Sequence, residues 1–336
     1  MYKDRKGYVI TMVKVSVIVP VTRESYLNKC LNSLDKQSFR NFEVILVSNK
    51  ELGKKLKENK LLITKEINPA YRRNLAAKKA KGEILAFIDD DAIANKDWIK
   101  HAVEFLDKNR SFCVVGGPDI ISKNSRFREE ISDVLLSNKY LGSGVLAHMN
   151  YNQKKEVSEA SSLALCNLFV RKKIFEEVDG FNEKIGYGGE DTEFLEFIIR
   201  RTKCRMMYLP NLFVYHKKRD FMVPYLKQRL KFRINNGKMA YVYPKLYFSN
   251  YKFLLFFFVG TFFFVFLFLR PLIALYAFIF YLILLVLVSS PYFIKNVRFV
   301  ILPFAFAAQH LTYYIGILIG LSNIVNYKKL RKIRRF

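Results

Sequence analysis

The chain has 336 residues, 51% of them hydrophobic, with 56 Lys+Arg against 29 Asp+Glu and a formal charge of +27. The apolar content excludes wholesale disorder, and 15 Gly with 9 Pro exclude a collagen-like or low-complexity chain. So strong a charge suggests nucleic acid, but beyond Asp220 there are 16 Lys/Arg and no acid, in the same third that holds the long apolar runs. That pattern describes membrane segments near anionic headgroups, with no nucleic-acid partner.

Residues 1–13 read as a short polar lead-in. Residues 15–19 form a β-branched run closed by Pro20, which is a strand and not a secretory signal. Tyr26, Leu27, Cys30, Leu31 and Leu34 recur at helical spacing. Residues 42–47 are a second strand, 74–81 open a basic helix, and 84–88 are a third strand ending in Asp89-Asp90-Asp91. Trp98, Ile99, Ala102, Val103 and Leu106 mark another helix before a strand at 113–115. This βαβαβ rhythm predicts an α/β domain whose mostly parallel sheet is covered on both faces, with ligands at the carboxyl ends of the strands.

Residues 124–140 are expected to be helical. A strand-like stretch from Ala164 leads to a helix at 172–178, then a loop with Gly180, Gly186, Gly188 and Gly189 and an acidic-start helix at 190–201. A strand near 206–209 and the stretch 212–215 precede His216. The four cysteines show no metal-ligand spacing and read as reduced, mostly buried thiols.

Segment 221–252 is basic. Leu226, Leu230 and Ile234 form one apolar stripe beside Lys227, Arg229, Lys231 and Arg233, as an interfacial helix requires. Apolar runs at 253–269, 272–288 and 299–321 follow, the first two split by Arg270-Pro271, where a helical hairpin is expected to turn. Three crossings would put the basic tail, 326–336, opposite the basic juxtamembrane helix; two crossings plus a re-entrant segment would satisfy the charges. Gln309 and His310 either line a polar groove or make an interhelical hydrogen bond.

Three adjacent carboxylates at a strand end repel one another unless a cation or donors neutralise them, and a hard divalent ion shared with substrate phosphates is one solution. A solvated acidic turn is the other. Asp191 alone reads equally as a helix N-terminal charge.

Three separated blocks sharpen this: VSVIVPVTRESYLNKCLNSLDKQSFRNFEVILVSN, NPAYRRNLAAKKAKGEILAFIDDDA and NLFVRKKIFEEVDGFNEKIGYGGEDTEFLEFIIRR. In order and spacing they resemble the family-2 glycosyltransferases of the GT-A fold over about residues 14–240. The resemblance implies a GT-A domain at 14–220, a nucleotide-sugar donor, Mg²⁺ or Mn²⁺, and inversion at the anomeric carbon. It places Pro20, Val21, Glu24 and Asn49 near the nucleobase and Arg73 near the base and phosphates. It makes Asp89 and Asp90 donor-binding residues, with Asp89, Asp91 and His216 at the metal. It makes Glu190-Asp191 the catalytic pair, Asp191 deprotonating the acceptor hydroxyl. The family's acidic pair and Gly-Ser after the second strand are replaced by Ser48-Asn49-Lys50, and KQRLKFRINNG keeps Gln228 but has Lys231-Phe232 where processive members have Arg-Trp.

The resulting expectation is a membrane-anchored inverting glycosyltransferase, catalytic domain on the cytoplasmic face, acting on a polyprenol-linked or glycan acceptor. Anionic lipid headgroups would be partners, and the transmembrane helices offer a route to a homo-oligomer. The alternatives are a processive polysaccharide synthase and a catalytically silent scaffold that binds sugar nucleotides.

Overall fold

The computed structural model describes residues 2–3, 9–10, 13–53, 60–143, 145–185, 188–244 and 251–322, with 251–256 by backbone alone. The expected tail at 326–336 and Gly186 lie outside these residues. Part of the lead-in is a small antiparallel ladder between β1 (Tyr2–Lys3) and β2 (Val9–Ile10).

In chain order the catalytic-type domain runs β3 (Val15–Pro20), α1 (Glu24–Asp35), β4 (Phe42–Ser48), β5 (Lys60–Ile63), α2 (Pro69–Lys79), β6 (Ile84–Ile88), β7 (Ala92–Ala94), α3 (Trp98–Lys108), β8 (Phe112–Gly116), β9 (Asp119–Ile120) and α4 (Phe127–Ser137). It continues through β10 (Lys155–Val157), β11 (Asn167–Arg171), α5 (Lys172–Glu177), α6 (Glu190–Arg201), β12 (Arg205–Tyr208) and β13 (Val214–His216). The main sheet has eight strands in the order β10-β12-β8-β11-β6-β3-β4-β5. β6, β3, β4 and β5 are mutually parallel, and β11 enters antiparallel between β6 and β8.

Alternation along the central strands builds two cores. Val15, Val17, Val19, Ile84, Ala86 and Ile88 face α1 and α3; Ile18, Leu85 and Phe87 face α2, α5 and α6. Helix α2 starts earlier than the basic run suggested, because the Asn68 side chain accepts from Ala70 N–H and Pro69 opens the first turn. Cys30 and Cys166 are free and buried, but Cys113, on β8, and Cys204, just before β12, form a disulfide with Cα atoms 5.8 Å apart. This corrects the expectation of four thiols: pairing of two distant strands, invisible in sequence spacing, brings them together.

Helix α7 (Val223–Val242) leaves the domain, followed by α8 (Tyr251–Leu269), α9 (Pro271–Lys295) and α10 (Leu302–Ser322). The chain breaks at Arg270, with Pro271 opening α9, and Phe263 stacks across the turn on Phe278 at 5.9 Å, so α8 and α9 form the expected hairpin. Pro271–Lys295 and Val297–Ser322 are long and apolar enough to cross a membrane, whereas the stretch Phe257–Leu269 is shorter.

A Cβ on Gly316 would lie 3.2 Å from Leu230 O and Ile234 N, one on Gly320 2.2 Å from Ile234 O, and one on Gly237 2.5 Å from Ile317 O. Small residues thus let α7 and α10 meet backbone to backbone, while Leu226, Leu230 and Ile234 of the apolar stripe stay half-buried. Gln309 and His310 prove to be latches. Gln309 accepts from Tyr225 and His310 lies 2.9 Å from Tyr281 Oη, while His310 Nε2 lies 3.2 Å from Leu141 O.

Candidate active site

Strand β6 ends at Ile88, and the next three carboxylates take three different paths. Asp90 turns inward, 3% exposed, and accepts from the N–H groups of Thr22 and Arg23, both at 2.6 Å. It clamps the loop after β3 to the loop after β6. Burial raises its pKa, partly offset by those two N–H donors.

Asp91 faces His216, with Oδ1 3.1 Å from Nε2, and its other oxygen lies 3.3 Å from Arg23 Nη2. The small sheet explains this meeting: β13 pairs antiparallel with β7, setting His216 opposite Ala92, and parallel with β9, which begins at Asp119. Burial works against charge on Asp91, but the His216 hydrogen bond, the His216 charge and Arg23 outweigh it and hold the carboxyl at about 2.

Asp89 is met by Arg73 from α2. Nη2 of Arg73 lies 3.0 Å from Asp89 Oδ1, and Nη1 lies 3.3 Å from Glu190 Oε1 at the start of α6. Glu190 also accepts from Gly188 N–H at 3.0 Å. Burial, then repulsion from Asp191, pushes Glu190 up to about 7 against the opposing charge of Arg73. Asp191 accepts from Thr192 N–H at 2.7 Å and is only half-buried.

A cavity of about 1290 Å³ joins these groups. Its lining includes Pro20, Arg73, Asp89, Asp90, Asp91, Glu190, Asp191 and His216. The two carboxylate clusters expected to converge do so. Three other expected residues lie off this lining. Val21 is buried and donates to Val47 O, Glu24 pairs with Lys50 at 3.4 Å, and Asn49 is exposed.

The donors suit a hard divalent cation: two aspartate carboxylates and one imidazole. Ligand atoms of Asp89, Cys166 and His216 lie within 4.8 Å of one another. Burial raises the Cys166 thiol to about 11. Asp91 joins this cluster through His216, its Oδ1 lying 3.1 Å from Nε2.

Sequence reasoning missed the group that orients His216. Asp119 is 1% exposed and lies 3.1 Å from His216 Nδ1, 3.0 Å from Lys218 Nζ and 2.6 Å from His148 Nδ1. Burial opposes its charge, but His148 and Lys218 hold Asp119 well below the usual carboxylate range. His148 belongs to this network. One signal was present: Asp119 follows a buried strand at the sheet edge where ligands bind.

Residues 16–178 match the family model described as Glycosyl transferase family 2. That match takes in just under half of the chain and stops short of Glu190 and Asp191. The mostly parallel sheet with helices on both faces is the α/β architecture expected. The poly(ribitol-phosphate) beta-N-acetylglucosaminyltransferase TarS of Staphylococcus aureus is 35% identical over 147 residues, 38% of this chain and 25% of the relative. Glycosyltransferase AglE of Haloferax volcanii is 28% identical over 199 residues, 54% of this chain and 60% of the relative. The matched region thus spans from a quarter to three-fifths of these relatives' lengths. The crystal structure of S. aureus TarS 1–349 in complex with UDP-GlcNAc is 18% identical, covers 96% of this chain and 93% of that one, and superposes with a TM-score of 0.49.

Proposed function

We propose that the protein is a metal-dependent, inverting glycosyltransferase that moves one sugar from a nucleotide-sugar donor to a membrane-held acceptor. The observation that carries this reading is the single cavity lined by both Asp89–Asp91 and Glu190–Asp191. An in-line displacement needs leaving-group stabilisation on one side of the sugar carbon and a base on the other, which two separate carboxylate clusters supply.

Asp89, Asp91 and His216 would hold the divalent cation, with Asp119 fixing the His216 ring through Nδ1. When bound, that cation offsets the charge building on the departing nucleoside diphosphate. Asp90 shapes the donor loop through the Thr22 and Arg23 N–H groups. Asp191 takes the proton of the attacking acceptor oxygen, and its partial exposure leaves it reachable from the acceptor side. Glu190, paired with Arg73, anchors the loop that carries it. With Asp191 as the base, a single displacement inverts the anomeric centre.

Helices α9 and α10 would anchor the domain in a membrane, with its cleft on the cytoplasmic face. The relatives' names include a transferase acting on poly(ribitol-phosphate), and a neighbour holds UDP-GlcNAc. Purified protein with Mn²⁺, a panel of radiolabelled nucleotide sugars and lipid-linked acceptors tests the proposal. Transfer unaffected by chelator, or surviving Asp191→Asn at the wild-type rate, defeats it.

A further inference from the structure

Among the cations that line the cavity, Arg23 and Arg219 act on Asp91, with Lys217 beside them, so this set faces the end assigned to the donor diphosphate. The second set, Arg229 and Arg233, sits on α7. Four residues apart, they share one helix face.

That face adjoins the loop leading to Asp191. A Cβ on Gly188 would overlap the Phe232 ring, and Asn235 Nδ2 donates to Gly188 O. Arg229 stacks over the Phe232 ring at 4.5 Å, and Arg233 over Tyr313 of α10 at 3.8 Å. Stacking fixes each guanidinium plane; Arg233 Nη1 donates to the Asn236 amide oxygen at 3.2 Å, and the remaining donors have no partner among the described side chains. Among the described residues no carboxylate pairs with either arginine, and Arg229 Nε is buried with no hydrogen-bond partner. Half-buried guanidinium groups without a counter-charge are costly unless an anion completes the site.

We propose that Arg229 and Arg233 are the phosphate-binding arms of the acceptor site, so that the acceptor carries a phosphate or diphosphate ester next to the hydroxyl or phosphate that Asp191 deprotonates. This rests on the glycosyltransferase reading above and narrows its acceptor. A polyprenyl phosphate in a bilayer and a soluble phosphate ester share this chemistry. The position of the pair against α10 places either at the end of the cleft beside the apolar helices.

The test uses the full chain in uncharged detergent micelles with Mn²⁺, titrated with farnesyl phosphate, farnesol or inorganic phosphate. Farnesyl phosphate should bind at least tenfold more tightly than farnesol. R229Q/R233Q should erase that preference and R229K/R233K should keep part of it. K227Q/K231Q, which removes exposed charge from the same helix, should change it less than twofold. Inorganic phosphate competing as well as farnesyl phosphate supports the arms and assigns a soluble source; competition by farnesyl phosphate alone supports them and assigns a lipid. Equal binding of farnesol and farnesyl phosphate, or undiminished farnesyl phosphate binding in R229Q/R233Q, overturns the inference. UDP, GDP and CDP titrated into the same samples separate the two readings. Nucleotide binding without phosphate discrimination sinks only this inference, and no nucleotide binding at all sinks the parent function.

Discussion

Asp89 and Glu190, far apart in the chain, are held by opposite arms of one guanidinium: Arg73 reaches the first at 3.0 Å and the second at 3.3 Å. The geometry ties the Asp89–Asp91 cluster to the loop carrying Glu190 and Asp191, so distance between the two ends of the cleft depends on a planar fork. Arg73→Lys keeps the charge but can serve only one carboxylate well. It should lower kcat by about tenfold with little loss of stability, whereas Arg73→Ala should cost on the order of a hundredfold. Steady-state transfer assays decide this; a lysine variant at full rate would remove the coupling role.

Glu190 sets a pH signature. Its carboxyl titrates near 4.5 when unfolded and about 7 in the fold, because burial and Asp191 disfavour its charge. Between those values the folded state binds the proton more tightly, so this contribution is fully present below pH 4.5 and is lost as pH rises through 7. Glu190→Gln removes the titration. The gap between variant and wild type should widen in favour of glutamine across that window by up to about 3 kcal/mol. Melting curves from pH 4.5 to 8 measure it, and parallel profiles would argue against a raised Glu190.

Asp191→Asn keeps shape and removes the proposed base. Transfer should fall by about 10²- to 10⁴-fold. Donor binding, measured by nucleotide titration with Mn²⁺, should change less than threefold, because Asp191 contacts none of Asp89, Asp91 or His216 by hydrogen bond or ion pair among the described residues. Equal loss of donor affinity and rate would move Asp191 from base to structural residue.

The central strands and the acidic strand end were legible because burial on both faces demands nearly continuous apolar runs, and 84–88 is wholly apolar while 15–19 is broken only by Ser16. Arg73 was placed near donor phosphates, yet its position between two carboxylates depends on α2 facing α6, which no local pattern encodes. The Asp119 network was hidden for a similar reason: it exists only because β13 inserts between β7 and β9. Helix α7 was ambiguous by nature. A basic helix with one apolar stripe suits a lipid surface or another helix equally, and its close approach to α10 depends on three glycines, Gly237, Gly316 and Gly320, on two segments distant in sequence.

Gly188 has φ of +94°, and an added Cβ would lie 1.8 Å from the Phe232 ring. Gly188→Ala therefore meets a backbone penalty of about 1–2 kcal/mol and a steric one. The loop carrying Glu190 and Asp191 should lift away from α7. Activity should drop at least tenfold, and Phe232→Ala in the same chain should restore stability in part by removing the clash but not the φ strain. Thermal melts of the single and double variants separate these two costs. No recovery in the double variant would mean that the ring is not what Gly188 accommodates.

The same close approach makes α10 part of the catalytic unit. Gly320 lies where a Cβ would come 2.2 Å from Ile234 O, and Tyr225, also on α7, donates to Gln309 on α10. Gly320→Val must push the two helices apart, at about 1–3 kcal/mol for overpacking. Since α7 also carries Phe232 and Asn235 against Gly188, the displacement should reach the Asp191 loop and reduce transfer several-fold. Gly260→Val serves as the comparison, because the atoms nearest its Cβ belong to the Tyr314 ring, at 2.5 Å, between α8 and α10. Melting in detergent should drop for both variants, but transfer should fall further for Gly320→Val at matched loss of stability. Equal activity losses would mean that α10 only anchors the domain, without holding α7 against the cleft.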